Sequence, residues 1–364
     1  MSRYLNSHFR ALGFAFVGGF IVTSLVGYFI LYQGNHISIL TQERDSKVLA
    51  DTSTEQNNSF SSNQKNLGVL FIGYGGAGHE GGYLTDAIQV VYINIEKAKV
   101  LLISLPRDLW VVSPSGGEMK INNVLIANAT NKPEVILSGA PALKKVISQI
   151  TGLKMDYIIA VDFVGFQRAV GLNFDGLDVD VGEALDDPWY PIKGKELDLC
   201  SMSPDEIKYA HEKYSGFELE RQFTCRYKQL HFEKGKVQME GEQALEYVRS
   251  RHGSGEGDIS RGKRQQEVLL ALKKVLISLD NLNKIPDFFG EISKNISTDL
   301  DLTIIEHILP ILRKAEDFDI VRQNLSPVNI LVTAKSPQGA FILIPKAGNN
   351  NWNEVHSYIG TQLN

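Results

Sequence analysis

The densest run of chemically capable side chains lies between Tyr247 and Gln266, YVRSRHGSGEGDISRGKRQQ. Five basic residues, Arg249, Arg251, Arg261, Lys263 and Arg264, stand there against two carboxylates, Glu256 and Asp258. The local charge is +3 in a chain whose net charge is −5. With a pI near 5.9 the chain has no global basic field of the kind that binds nucleic acid through its phosphates, so any anion must be held locally. Arg249 and Arg251 alternate by two and would point to one side of an extended segment. Arg261 and Gln265 are one turn apart on a predicted helix whose apolar stripe continues through Val268, Leu272, Val275, Leu276 and Leu279. Basic side chains are unfavourable near a helix N-terminus. Their presence there predicts an anionic partner, and Arg249, Arg251, Arg261 and Gln265 together would suit a doubly charged group such as a pyrophosphate. The competing reading is a solvated basic helix start.

A second pair of candidates sits at strand ends. Asp86 follows the Gly-rich stretch GYGGAGHEGG (73 to 82), and Arg107 and Asp108 follow the next apolar run in SLPRD. Groups at the ends of neighbouring strands converge on one crevice in α/β sheets. An Asp there can hold a divalent cation and an Arg a phosphate oxygen. Taken alone, the two could equally be surface residues that never meet, and the Gly-rich loop a mere turn. The chain has no GxxxxGK[ST], HExxH, GxSxG or EF-hand pattern.

The elements that must position these groups are legible as short apolar runs at 67 to 72, 87 to 93 and 99 to 105, which read as three strands near the core of a sheet. Leu143, Val146, Ile147 and Ile150 form a helical stripe; a strand follows at 156 to 162, and GLDVDV (176 to 181) alternates as a half-exposed strand. Ser203, Pro204 and Glu206 have the chemistry of a capped helix start. Residues 329 to 334 and 340 to 344 flank a KSPQG turn as a hairpin, and 352 to 359 reads as a closing helix. Strands alternating with helices predict an α/β domain, α/β/α layered around a mixed central sheet.

Ahead of this domain, residues 11 to 32 carry no charge and are long enough to cross a hydrocarbon core of about 30 Å. Arg3 and Arg10 precede them without an acidic residue, which predicts a cytoplasmic N-terminus (1 to 10), a single transmembrane helix (11 to 32), a Ser/Asn/Gln/Thr-rich stalk (33 to 66) and an extracytoplasmic domain (67 to 364). The alternatives are a cleaved signal peptide and a buried helix. The two cysteines, Cys200 and Cys225, fall in the exported part, either as a disulfide closing a surface loop or as two free thiols.

The motifs LTDAIQVVYIN, SLPRDLWV, KIN (120 to 122), DYIIAVDFVGF (156 to 166), MEGEQALEYVRSRHGSGEGDISRGKRQQ and GAFILIPKAGNNNW resemble, in order, those of the LytR-CpsA-Psr family. The resemblance implies an α/β/α fold with an apolar tunnel for a prenyl chain. It also implies a phosphotransferase that moves glycopolymers from polyprenyl pyrophosphate onto peptidoglycan with magnesium or manganese. It makes Asp86 the metal-binding and catalytic Asp, Arg107 a phosphate-binding residue, and Arg249, Arg251, Arg261 and Gln265 the pyrophosphate clamp. Nothing in the sequence names the general base, for which Asp108 is the nearest candidate. Two positions depart from the family pattern. Tyr74 stands where an Asp is usual, and Leu84 where an Arg often precedes Asp86, so either the metal is held with fewer carboxylates, helped by Glu80 or water, or this branch binds its ligand differently. A hydrolase using the same site, and a wall-polymer binding or attenuator protein without catalysis, are the alternatives; the exported position of the basic cluster argues against DNA contact.

Overall fold

The computed structural model describes residues 64–78, 81–131, 134–173, 176–253, 257–277, 296–301, 304 and 317–363. The expected anchor at 11 to 32, almost all of the stalk, and Glu80 lie outside them. Among the described residues no helix is long and apolar enough to cross a membrane.

Six strands form a mixed sheet. β1 (Asn66–Tyr74), β2 (Thr85–Asn94) and β3 (Lys99–Ser104) make an antiparallel meander. The chain then runs through the small hairpin β4 (Trp110–Val112) and β5 (Glu118–Lys120), helix α1 (Ile121–Ala127) and helix α2 (Val135–Thr151). It re-enters the sheet as β6 (Tyr157–Asp162), parallel to β1. Alternation sorts β1 as period two requires: Leu70, Ile72 and Tyr74 face a core shared with Leu143, Ile147 and Ile150 of α2, while Leu67, Val69 and Phe71 face an opposite core. The α2 stripe is the predicted one. The helix begins earlier than its apolar pattern, with Pro141 inside it, and ends at Gly152 in the left-handed region (φ 72°).

After α3 (Phe163–Asn173) the chain builds a second apolar core. Its walls are β7 (Leu177–Val181) with β10 (Gly235–Met239), and β8 (Leu185–Pro191) with β9 (Tyr227–Phe232). Between β8 and β9 lie α4 (Pro204–Lys213) and α5 (Gly216–Glu220). Ser203 caps α4 with a reciprocal Ser203–Glu206 box, as its sequence predicts. Cys200 and Cys225 are joined, so the bridge, not the free-thiol alternative, closes this excursion. The folded chain should therefore resist alkylation until reduced. Replacing both cysteines by Ser should lower stability by about 3 kcal/mol, read as a loss of protection across 192 to 226 in hydrogen exchange; two rapidly labelled thiols in unreduced protein would refute the bridge.

Helix α6 (Gly241–Arg249) and the long α7 (Asp258–Ile277) follow. Val268 and Ala271 of α7 belong to the second core, and Leu270 packs on the sheet, so this helix ties the two together. β11 (Ile296–Thr298) pairs with β6, and β12 (Asp319–Asn324) completes the sheet beside β3, parallel to it. The predicted hairpin, β13 (Leu331–Lys335) and β14 (Phe341–Pro345), and helix α8 (Asn353–Leu363) close the chain. The strand order is β11-β6-β1-β2-β3-β12.

Candidate functional site

Antiparallel pairing puts the start of β2 and the end of β3 at one sheet edge, in a register that sets Gln89 opposite Ser104. Asp86 and Arg107, candidates from two separate motifs, meet there. Arg107 Nη1 donates to Asp86 Oδ1 at 2.5 Å. Asp108 accepts from Lys120 Nζ at 2.5 Å and lies 3.8 Å from Arg107 Nε, so it backs the arginine from behind. Arg107 Nε is buried with no hydrogen-bond acceptor.

The second half of the site arrives on α7. The helix lies so close to the ends of β3 and β12 that a Cβ on Gly262 would fall 2.5 Å from Ser104 Oγ and 2.7 Å from Asn324 Oδ1. Only glycine permits that approach. Asp86, Pro106, Asp258, Arg261, Gln265 and Asn324 consequently line one cleft. Arg261 Nη1 lies 3.1 Å from Asp258 Oδ1, and Gln265 Oε1 accepts from Gln89 Nε2 at 2.8 Å. Replacing Gly262 by Ala should therefore push α7 outward and weaken anion binding at least 10-fold, on the order of one lost charge-assisted contact, while far-ultraviolet circular dichroism stays native. Unchanged binding by this variant would show that the close approach is dispensable.

The electrostatics of the cleft are those of crowded cations. Arg261 is only 6% exposed; burial, opposed by Asp258 and reinforced by Arg251 and Arg107, pulls its pKa down to about 10. At Arg251 the side chain is exposed by surface area, yet loss of solvent is still the largest influence, and together with the Arg107 charge it lowers the pKa. At Arg107 burial works against the charge as well, but the Asp86 hydrogen bond and the Asp86, Asp108 and Asp258 charges outweigh it and the pKa rises. Three guanidiniums thus act on one another across a single cleft, and two of them are under-compensated by the protein's own carboxylates. A bound anion would supply what is missing.

Arg249 does not share this environment. The i, i+2 spacing places both arginines on one side only if the segment is extended, and here α6 continues through Arg249. Ser250 then turns the chain (φ −52°, ψ 140°). Arg249 lies 4.1 Å over the Phe163 ring with Nη1 3.5 Å from the Tyr190 hydroxyl, whereas Arg251 faces the Asp86–Arg107 group. The turn between them is held by residues with no obvious motif. Arg264 donates from Nε to the Tyr247 carbonyl at 2.8 Å and from Nη2 to the Ser250 carbonyl at 2.5 Å, which satisfies the end of α6. Buried Asp187 accepts from Ser250 Oγ at 2.6 Å and from His252 N at 3.4 Å. Tyr247 donates to Glu267 at 2.5 Å, and Glu267 accepts from Gly182 N at 3.2 Å.

A hard dication takes oxygen ligands. Among the described residues the only cluster of three metal-ligating side chains is Asp198 with Cys200 and Cys225, whose sulfurs are committed to the disulfide. Tyr74, at the end of β1, is buried in the core, stacks with Tyr83, and has its phenol pKa raised by burial. Its neighbour in register, Asp162, accepts from Gly165 N at 2.6 Å. The cleft offers the carboxylate oxygens of Asp86 and Asp258 to such an ion, and among the described residues these form no all-protein cage.

A mixed α/β sheet with guanidiniums and a carboxylate gathered at one strand edge defines the class: an α/β domain with a basic cleft at its sheet edge. The chain belongs to the LytR_cpsA_psr family, whose pattern matches residues 32–351. The regulatory protein MsrR of Staphylococcus aureus (strain COL) is 26% identical over 256 residues, 70% of this chain and 62% of that protein. The polyisoprenyl-teichoic acid–peptidoglycan teichoic acid transferase TagV of Bacillus subtilis (strain 168) is 25% identical over 289 residues, 78% of this chain and 61% of that protein. The chain thus spans 62% and 61% of the length of these two relatives. The fold is shared with the crystal structure of B. subtilis TagV (TM-score 0.54, 22% identity, 82% of this chain and 97% of that one). It is also shared with TagT bound to LI-WTA (TM-score 0.54, 20% identity, 86% and 97%).

Proposed function

We propose that this chain is a phosphotransferase that moves a polyprenyl-pyrophosphate-linked anionic glycopolymer onto peptidoglycan or another envelope acceptor. In this reading residues 11 to 32 anchor it in the cell membrane with the domain outside, and the sheet is the middle layer of an α/β/α sandwich, which the apolar cores on both its faces support. The observation that carries the reading is the convergence of Arg107, Arg251 and Arg261 around Asp86, with the charges of Arg251 and Arg261 under-compensated. Membership of a family that includes teichoic acid transferases supports it.

Arg251 and Arg261 bind the pyrophosphate, Gln265 adds a neutral donor, and Arg107 meets the phosphate being transferred. A hydroxyl oxygen of the acceptor attacks the phosphorus that carries the polymer, and the bond from that phosphorus to the bridging oxygen breaks. Prenyl phosphate leaves with the electron pair. In a loose phosphoryl transition state little base strength is needed, and the hydroxyl proton leaves late to solvent. Asp108, engaged by Lys120 and Arg107, serves better to hold Arg107 than to take that proton. A divalent ion on Asp86 would supply further neutralisation of phosphate charge. Arg249 props the turn that presents Arg251.

The test is to incubate the full chain in detergent with a prenyl-pyrophosphate-linked glycan and a peptidoglycan acceptor and to weigh the products. Acceptor mass increased by polymer plus one phosphate, with prenyl phosphate released, supports transfer. Phosphorylated free polymer alone identifies a hydrolase, and no turnover with tight binding identifies a binding protein. Protease added to sealed cells should remove residues beyond about 40; a shielded C-terminal domain would remove the basis for the reading.

A further inference from the structure

We propose that Gln89 is a positioning residue that fixes which edge of the Gln265 amide faces the cleft. The inference rests on the reading that Gln265 meets a pyrophosphate. Gln89 is the polar residue in the middle of β2, only 4% exposed. Its Nε2 donates at 2.9 Å to Ser104 Oγ, its partner in register, and at 2.8 Å to Gln265 Oε1. Its own Oε1 is buried without a partner. An aliphatic side chain would avoid that unsatisfied group, so this strand tolerates a glutamine that is unfavourable for packing.

What the glutamine provides is direction. A carboxamide offers a donor edge and an acceptor edge of nearly equal shape. Left alone, Gln265 presents either one to the cleft. With Oε1 engaged from below by Gln89, its Nε2 is the edge left for a phosphate oxygen; the reverse orientation would aim a carbonyl at an anion. The Gly262 approach brings α7 near enough for this contact, one turn before Gln265.

The two residues can be tested by titrating farnesyl pyrophosphate into the full chain in detergent. Gln89→Glu, when ionised, can only accept; it turns the Gln265 amide over and should weaken binding about 10-fold relative to wild type near pH 9. A buried Glu titrates well above its usual range. Toward pH 6 the protonated carboxyl donates again, and the ratio to wild type should return toward one. The ionisable groups around the cleft, Asp86 on β2, Arg107 after β3, Arg251 before α7 and Asp258 and Arg261 on it, are common to both proteins and cancel in that ratio. Gln89→Leu leaves the amide free to turn and should weaken binding a few-fold at every pH. Should Gln89→Glu fail to fold, the cycle with Gln265→Ala decides: Gln89→Leu added to Gln265→Ala should weaken binding no further. Equal binding by Gln89→Glu and wild type near pH 9, equal pH-independent losses in Gln89→Glu and Gln89→Leu, or additive losses in the cycle would each overturn the proposal. Wild type and Arg251→Ala binding the probe alike would instead overturn the site reading itself.

Discussion

Arg261→Ala is expected to reduce binding of a prenyl pyrophosphate by at least 10-fold and by up to 100-fold, the range of a charge-assisted contact worth roughly 1.5 to 3 kcal/mol. Arg251→Ala should lose a similar amount. Removing Arg261 should not destabilise the unliganded fold in proportion, because the protein already penalises that charge: its pKa is down to about 10 chiefly through burial. For a base with a depressed folded pKa, the charged form is the disfavoured one in the folded state. Folding therefore pays for it at neutral pH and is relieved only as pH rises through about 10. Arg261→Lys keeps the charge without the planar fork and should rescue only partly. Arg249→Ala should cost only a few-fold, through the turn it supports. Calorimetric titration together with thermal melting of each variant separates these outcomes. Equal, small effects of all three alanine variants would mark the cluster as an ordinary basic surface.

Asp86→Asn should lower transfer by about 100-fold or more, on the scale of losing one preorganised electrostatic contribution to the transition state. It should also abolish stimulation by magnesium. Lipid binding should persist or tighten, because Arg107 loses the carboxylate that now holds it at 2.5 Å and becomes free for phosphate. Chelator should cut wild-type turnover to the level of this variant. A folded Asp86→Asn protein with full magnesium-stimulated transfer would place the metal elsewhere.

Much of the fold could be read from periodicity because the elements concerned bury one clean face. The alternation in β7 and the 143/146/147/150 stripe of α2 matched their positions, and the Ser203 cap and the KSPQG hairpin are local chemistry. The candidates for the site were legible one motif at a time, since Arg107 and Arg261 have the type suited to an anion and Asp86 the type suited to a cation. What remained hidden depends on partners distant in sequence. Asp187 holds a turn 63 residues away, and Gln89 reaches Gln265 across 176; one polar residue at a buried place in β2 was the only cue. Arg249 differed because a local rule was applied to the wrong backbone: alternation by two holds on a strand, and the residue closes a helix.

The parallel pairing of β12 with β3 has a consequence for how the protein comes into being. Residues 319–324 dock beside residues 99–104, so the cleft wall formed by Asn324 is absent until more than 200 residues after β3 have been made. A nascent chain can complete the β1–β2–β3 meander early, and α7 can bring its arginines, but the edge strand on which they close comes after both. Such non-local closure is slow and leaves β3 an open edge meanwhile, a template for mispairing. Chains truncated before Asp319 should be inactive and prone to aggregate, and the lag between release of the full chain and first binding of pyrophosphate should report the docking of that single strand.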